Sequence, residues 1–485
     1  MRLCLWQLGV FVLFVRQVYS TLCIEHTLHS RSPPSSALVP CGSQEQQLSK
    51  RFDSINDPIT FDFTCRSASQ DECAKVNNTL IKAGQILASV IRLNNAIRVN
   101  ASYLPFCQDL NDCDTANGAL NVGQAYPAVS YLMVDETDNM TRMYPQAMLK
   151  QFDNLPAEPQ WSEYDIKAQF NSEVDWYFPS DNRAIDTNET DLLRTVVHEL
   201  VHGLGFVNSW SDVTYAKFST YIPSLTPFLV PMELQPPNEL AQVLAAEASL
   251  QGNQPFWGFV EFPLDKYLYT KNTSLTTITR LLNTWGNSNV MFNSILDMVN
   301  AWYCLEDIRT EAQMLYKLAT TAQDIWTVFP DGTTLLLETS LSQFISGTSL
   351  SHVDRATYGK TPDFLMVYYT ESGVTLDTLV LKYDGGPIGS HLLHALASLG
   401  YALQPSLNMT IEPVRPKLSF WEASADLVGT TSNPSPSVSI NTDGPAKYPT
   451  ATSTTSSSPA SSLFFVNLFH YIIPLLILLF FSFTF

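Results

Sequence analysis

Residues 192–201 carry the clearest helical pattern in the chain. Leu192, Leu193, Val196, Val197, Leu200 and Val201 fall on one stripe at helical spacing. Asn188, Thr190 and Asp191 offer cap or first-turn oxygens ahead of it, and Gly203 and Gly205 can end it. Upstream, alternation over residues 59–64 predicts a strand. Residues 83–95 read as an amphipathic helix and 96–103 as a second strand. Residues 131–135 give a third strand candidate, and 166–170 and 174–178 lie just before the long helix. Strands and a helix come first, then the helix of 192–201. That order predicts an α+β fold with this helix packed under a twisted sheet. Downstream, residues 238–250 and 275–327 repeat apolar positions at helical spacing, which predicts a long helical insertion beside the cleft that shapes access to it.

These shifts divide the chain into segments. Residues 1–20 read as a signal peptide: Arg2 is followed by an apolar run over 3–15, and Val18, Tyr19 and Ser20 fit a cleavage site. Residues 21–57 are polar and irregular, an N-terminal extension or pro-segment. Residues 58–208 and 348–405 form two halves of one body, interrupted by the insertion over 209–347. Residues 406–462 lead into a Ser/Thr/Pro-rich composition from about Thr430, which predicts an O-glycosylated stalk. Residues 463–485 are apolar with no Lys or Arg after them. A spanning helix usually has a basic flank, so this tail predicts a removed GPI signal attached near residues 451–455, with an uncleaved tail anchor as the alternative.

An apolar content of 45% is ample for a sizeable core, and the formal net charge of −19 argues against nucleic-acid binding, which needs a basic footprint. Export also bears on the cysteines. With Cys4 removed, Cys23, Cys41, Cys65, Cys73, Cys107, Cys113 and Cys304 remain. Close spacing favours Cys65–Cys73 and Cys107–Cys113 as local bridges, and one of the seven must stay unpaired or bond another molecule. Cys41 is expected in a structural disulfide rather than blocking a metal in a precursor. Sequons at Asn77, Asn100, Asn139, Asn188, Asn272 and Asn408 agree with an exported, glycosylated chain.

The helix also carries chemistry. His198 and His202 stand one turn apart, so their imidazoles project from one face and can share a metal ion, with Glu199 between them as the base for an attacking water. Zinc suits two neutral imidazoles, and a catalytic site needs a third protein ligand plus an open position. The plain alternative is a buried helix with two incidental histidines. The close metzincin pattern H-E-x-x-H-x-x-G-x-x-H is kept to Gly205 but has Asn208 at its last position, and a neutral amide oxygen is a poor zinc ligand. Outside the tail, the later histidines are His352, His391 and His394.

Here the chain resembles leishmanolysin-like metzincins and related secreted bacterial zinc peptidases, which supply the third histidine late, in a Ser-His segment before a methionine turn. Ser351 and His352, followed by Met366, match that arrangement, and residues 170–178 and a final helix over 390–399 extend it to residues 59–405. Val353 departs from the aromatic that often follows the late histidine. The resemblance implies a metzincin-like mixed sheet over the H-E-x-x-H helix, zinc held by His198, His202 and His352, and Met366 in the turn beneath it. Tyr368 stands where some metzincins place an oxyanion aid; a buried structural tyrosine is the alternative. His391 and His394 read as packing or capping residues, with His391 as the reserve ligand. Glu371 has no assigned role.

The expected function is a secreted, surface-anchored zinc metalloendopeptidase acting on protein or peptide substrates, tied to the outer membrane leaflet by a GPI anchor. Two other classes compete. One is a non-catalytic, GPI-anchored adhesion protein with a degenerate metallopeptidase fold, which zinc content discriminates. The other is a zinc hydrolase of non-peptide substrates, which peptide cleavage discriminates.

Overall fold

The alternation at residues 59–64 becomes a strand, after a hairpin that the composition does not announce. In the computed structural model Leu22–His29 (β1) and Ser32–Pro40 (β2) pair antiparallel, where the sequence reads as irregular. The disulfide Cys23–Cys41, with Cα atoms 5.1 Å apart, closes the hairpin. β3 (Ile59–Cys65) is followed by helix α1 (Gln70–Val90), which starts well before the expected Ala83. Ser69 caps α1 by accepting from the Glu72 N–H, Asp71 and Glu72 suit its positive end, and Cys65–Cys73 ties its first turn to β3. Those polar first turns hide the helix from a reading of apolar spacing.

The structure describes residues 22–29, 32–41, 58–67, 69–113, 120–235, 254–271, 273–285 and 290–422, all within one unit, Met1–Thr431. The expected signal peptide, the helix over 238–250, and the stalk and tail beyond 422 lie outside them. No helix among the described residues is long and apolar enough to cross a membrane.

Next come β4 (Ile91–Arg92), β5 (Ile97–Leu104), α2 (Phe106–Leu110), β6 (Gly123–Pro127), β7 (Val129–Asp135), β8 (Met140–Pro145), α3 (Gln146–Leu149) and β9 (Ile166–Asn171). The disulfide Cys107–Cys113 joins α2 to the residues that follow it. The first sheet runs β3-β5-β9-β6, parallel except for the antiparallel edge strand β6. In the second, β7 pairs with β8 on one side and with β1 on the other. The strand Leu418–Phe420 continues that second edge beyond β1. Buried Trp421 follows, so the folded body runs past the boundary at 405 read from the sequence. Buried His26 fastens β1 between the Ser36 and Ser130 hydroxyls at 2.8 and 2.9 Å.

β10 (Trp176–Tyr177) and β11 (Thr190–Asp191) lead into α4 (Leu192–Gly203), all twelve residues of which are buried. α4 lies against α1, β6 and β9. Contact with β9 is so close that a Cβ on Gly203 would come within 2.4 Å of Ile166. The fold is therefore mixed α/β with helices packed on several sheets, in line with the expected α+β class.

The insertion is not uniformly helical. It contains helices Leu275–Leu282, Ile295–Cys304 and Glu306–Leu318, but also small sheets built from strands of two to four residues. A buried charge cluster binds it to the body. Arg142 of β8 donates to Glu261 at 3.0 Å and to Asp138 at 2.7 Å, Thr279 donates to Glu261, and Lys266 donates to Asp135 at 2.7 Å.

Candidate metal centre

α4 is positioned at both ends. Asp191 is its cap: one carboxylate oxygen accepts from the Leu193 N–H at 3.0 Å and the other from the Leu376 N–H at 2.6 Å, which ties the helix start to the C-terminal half. At the other end the chain breaks away at Gly205, whose φ of +113° is open to glycine and strained for other residues. The Tyr401 hydroxyl donates to the Leu204 carbonyl at 2.7 Å and holds this exit.

On the face so fixed, His198 and His202 meet His352, which is 154 residues from His198. The three Nε2 atoms are 3.2 Å apart in every pairing. A tetrahedral zinc with arms of about 2.0–2.1 Å has ligand–ligand edges of about 3.3–3.4 Å, so the triangle fits such an ion. Each Nδ1 meets a backbone carbonyl: His198 that of Leu365 at 2.6 Å, His202 that of Phe206 at 2.8 Å, and His352 that of Thr348 at 3.0 Å. A carbonyl only accepts, so each Nδ1 carries the proton and each Nε2 turns a lone pair into the common space. Burial holds the His198 imidazole down to about 3 and that of His202 to about 4. Burial and the neighbouring imidazoles hold His352 well below its ordinary value. Three neutral nitrogen donors are thus gathered at one point, a group able to hold a metal ion.

Residues Phe364–Met366 form a 3-10 turn, Met366 is fully buried, and its carbonyl accepts from the Val353 N–H at 2.9 Å. The turn thus holds His198 through Leu365 and the segment of His352 through Met366. Asn208 is not directed at the centre. Its amide nitrogen donates to the Ser351 hydroxyl at 2.6 Å, and its oxygen accepts from the Trp210 N–H at 2.9 Å, so it braces the loop that delivers His352.

Glu199 lies on the side of α4 that faces β6, where burial pushes its carboxyl up to about 8 and the Ala125 N–H donates to it. The other expected residues stand apart. Tyr368 is half-buried beyond the turn, with no hydrogen bond among the described residues to the three imidazoles. His391 pairs with Asp363 at 2.7 Å and His394 pairs with Asp331, as packing and capping residues do. Exposed Glu371 is 4.0 Å from Arg355. Cys41 is committed to its disulfide and Cys304 is free and exposed. The Nδ1 acceptors and the Ala125 contact are backbone groups, which residue identity does not reveal.

The model of the SPBPB7E8-like family matches residues 23–441. An uncharacterized protein of Schizosaccharomyces pombe is 25% identical over 412 residues, which cover 79% of this chain and 68% of that protein. No solved structure matches the chain.

Proposed function

The chain belongs to the SPBPB7E8-like family. From the geometry of the three imidazoles we propose that it is a secreted, surface-anchored zinc metalloendopeptidase with a metzincin-type catalytic body. One observation carries the reading: three Nε2 atoms 3.2 Å apart, each set by an Nδ1 proton given to a carbonyl, with Glu199 on the adjoining face of the same helix. Imidazole nitrogens in a tetrahedral set suit zinc, and three protein ligands leave the open position that catalysis needs. When bound, zinc supplies Lewis-acid polarisation of the scissile carbonyl and lowers the pKa of water at the site.

The chain's own residues do the rest. Glu199 takes a proton from the attacking water and delivers it to the leaving amine. Its raised pKa belongs to the metal-free chain; a cation nearby favours the carboxylate. β6 ends its sheet, antiparallel to β9, and lies beside Glu199. An extended peptide can add to such an edge, which favours a peptide substrate over other zinc-hydrolase substrates. The disulfides Cys23–Cys41, Cys65–Cys73 and Cys107–Cys113 support export. The GPI anchor rests on the apolar tail, and the outer leaflet is its partner.

Offered a peptide library, the zinc-loaded protein is expected to cut internal bonds. Cutting should stop once a chelator has been applied and dialysed away, and return on addition of about one equivalent of zinc. A loaded protein that leaves the library intact contradicts the reading.

A further inference from the structure

Arg194 stands one turn before His198 on α4, and its burial is hard to explain by the fold alone. At 5% exposure it is as hidden as the imidazoles, which are 6–9% exposed. Yet its guanidinium has neither a hydrogen bond nor an ion pair within 4 Å among the described residues. It lies 5.5 Å over the ring of Phe364, in the turn whose Leu365 carbonyl holds His198. Asp191 and Glu371 act on its charge through space without a direct ion pair. Asp191 accepts from the Leu193 and Leu376 N–H groups, and Glu371 is at the edge of ion-pair distance from Arg355. The side chain is buried but its nitrogens are not among the sealed-off polar atoms, so they keep contact with solvent, and a carboxylate presented to them gains a charge-assisted, bidentate pair.

Its place on the helix says what would bring that carboxylate. Residues 194, 195, 198, 199 and 202 form one stripe of α4 at helical spacing. Thr195 and Glu199 border β6, where the Thr195 methyl is 3.4 Å from the position of a Cβ on Gly123. Arg194 and His198 border the methionine turn. The stripe therefore runs between the edge strand and the turn. Four residues of helix span about 6 Å, roughly the advance of two residues of extended peptide. We propose that Arg194 is the carboxylate receptor of this cleft, selecting substrates with an acidic side chain next to the bond that is cut. This rests on the zinc-peptidase reading for its substrate, and its test reads binding rather than hydrolysis.

Two hydroxamate peptides that differ only in Asp against Asn, at the residue beside the hydroxamate, are titrated by calorimetry into the zinc-loaded full-length protein. The Asp peptide is expected to bind about 10- to 100-fold tighter, and the difference to vanish in Arg194→Gln and to shrink less in Arg194→Lys. Equal affinities in the wild-type protein overturn the proposal, whatever the variants do. An Asp preference without hydrolysis of any peptide keeps the receptor and removes the peptidase reading. Binding of neither peptide removes both.

Discussion

Glu199→Gln is expected to keep its metal and lose peptide hydrolysis by about 10²–10⁴-fold. The substitution preserves size, and the amide oxygen can still accept from the Ala125 N–H, so the helix and its imidazoles have no reason to move. What disappears is the ability to take a proton from water. The wild-type rate should also rise with pH as Glu199 loses its proton, with a midpoint below the metal-free value of about 8, because a bound cation favours the carboxylate. Zinc content and initial rates measured on the same preparations decide the matter. Cleavage at the wild-type rate by a zinc-replete Gln variant would remove Glu199 from the mechanism.

The largest effect on stability is expected from Arg142→Met. Arg142 is fully buried with Glu261, against Asp138 and 3.6 Å from Asp135. Taking away the cation leaves Glu261 buried, with the Thr276 and Thr279 hydroxyls as its side-chain donors, and such an uncompensated charge costs about 3–5 kcal/mol. Lys266 keeps Asp135 partnered, so the loss centres on Glu261 and on the seam between body and insertion. Chemical unfolding of the single variant and of Arg142→Met/Glu261→Gln checks it. The double variant should recover part of the loss, since the two sites share one interaction. A single variant within about 0.5 kcal/mol of wild type would mean that the cluster does not hold the insertion.

How much of this was legible in the sequence follows the range of the forces involved. α4 and its two histidines are local: i and i+4 on a helix share a face whatever surrounds them, and Asp191 and Gly205 mark where the helix begins and ends. The strand at 59–65 shows through its alternation, and those at 97–104 and 129–135 agree with the strands expected at 96–103 and 131–135. His352 had no local signature. Its place depends on hydrogen bonds from Asn208 and on a backbone pairing with the methionine turn, so only resemblance to a known family pointed to it. Asn208 departs from the close metal motif, and its amide braces the loop that carries His352.

Other features were hidden for the opposite reason, that their stabilising partners lie far along the chain. The hairpin of β1 and β2 is rich in Ser and Pro and takes its place by pairing Cys23, Ile24 and Glu25 with residues 129–131. Strands of two to four residues in the insertion are too short to show a period, so apolar spacing suggested helices alone. Arg194 sits among apolar neighbours in the sequence, and nothing there says that its side chain is buried over Phe364 without a direct ion pair.

X-ray absorption at the zinc edge of the purified protein puts the central claim at most direct risk. Three imidazole nitrogens at about 2.0–2.1 Å are expected in the wild-type protein, falling to two in His352→Ala, with metal retention reduced. A wild-type spectrum without that three-nitrogen shell, or one that His352→Ala leaves unchanged, would contradict it.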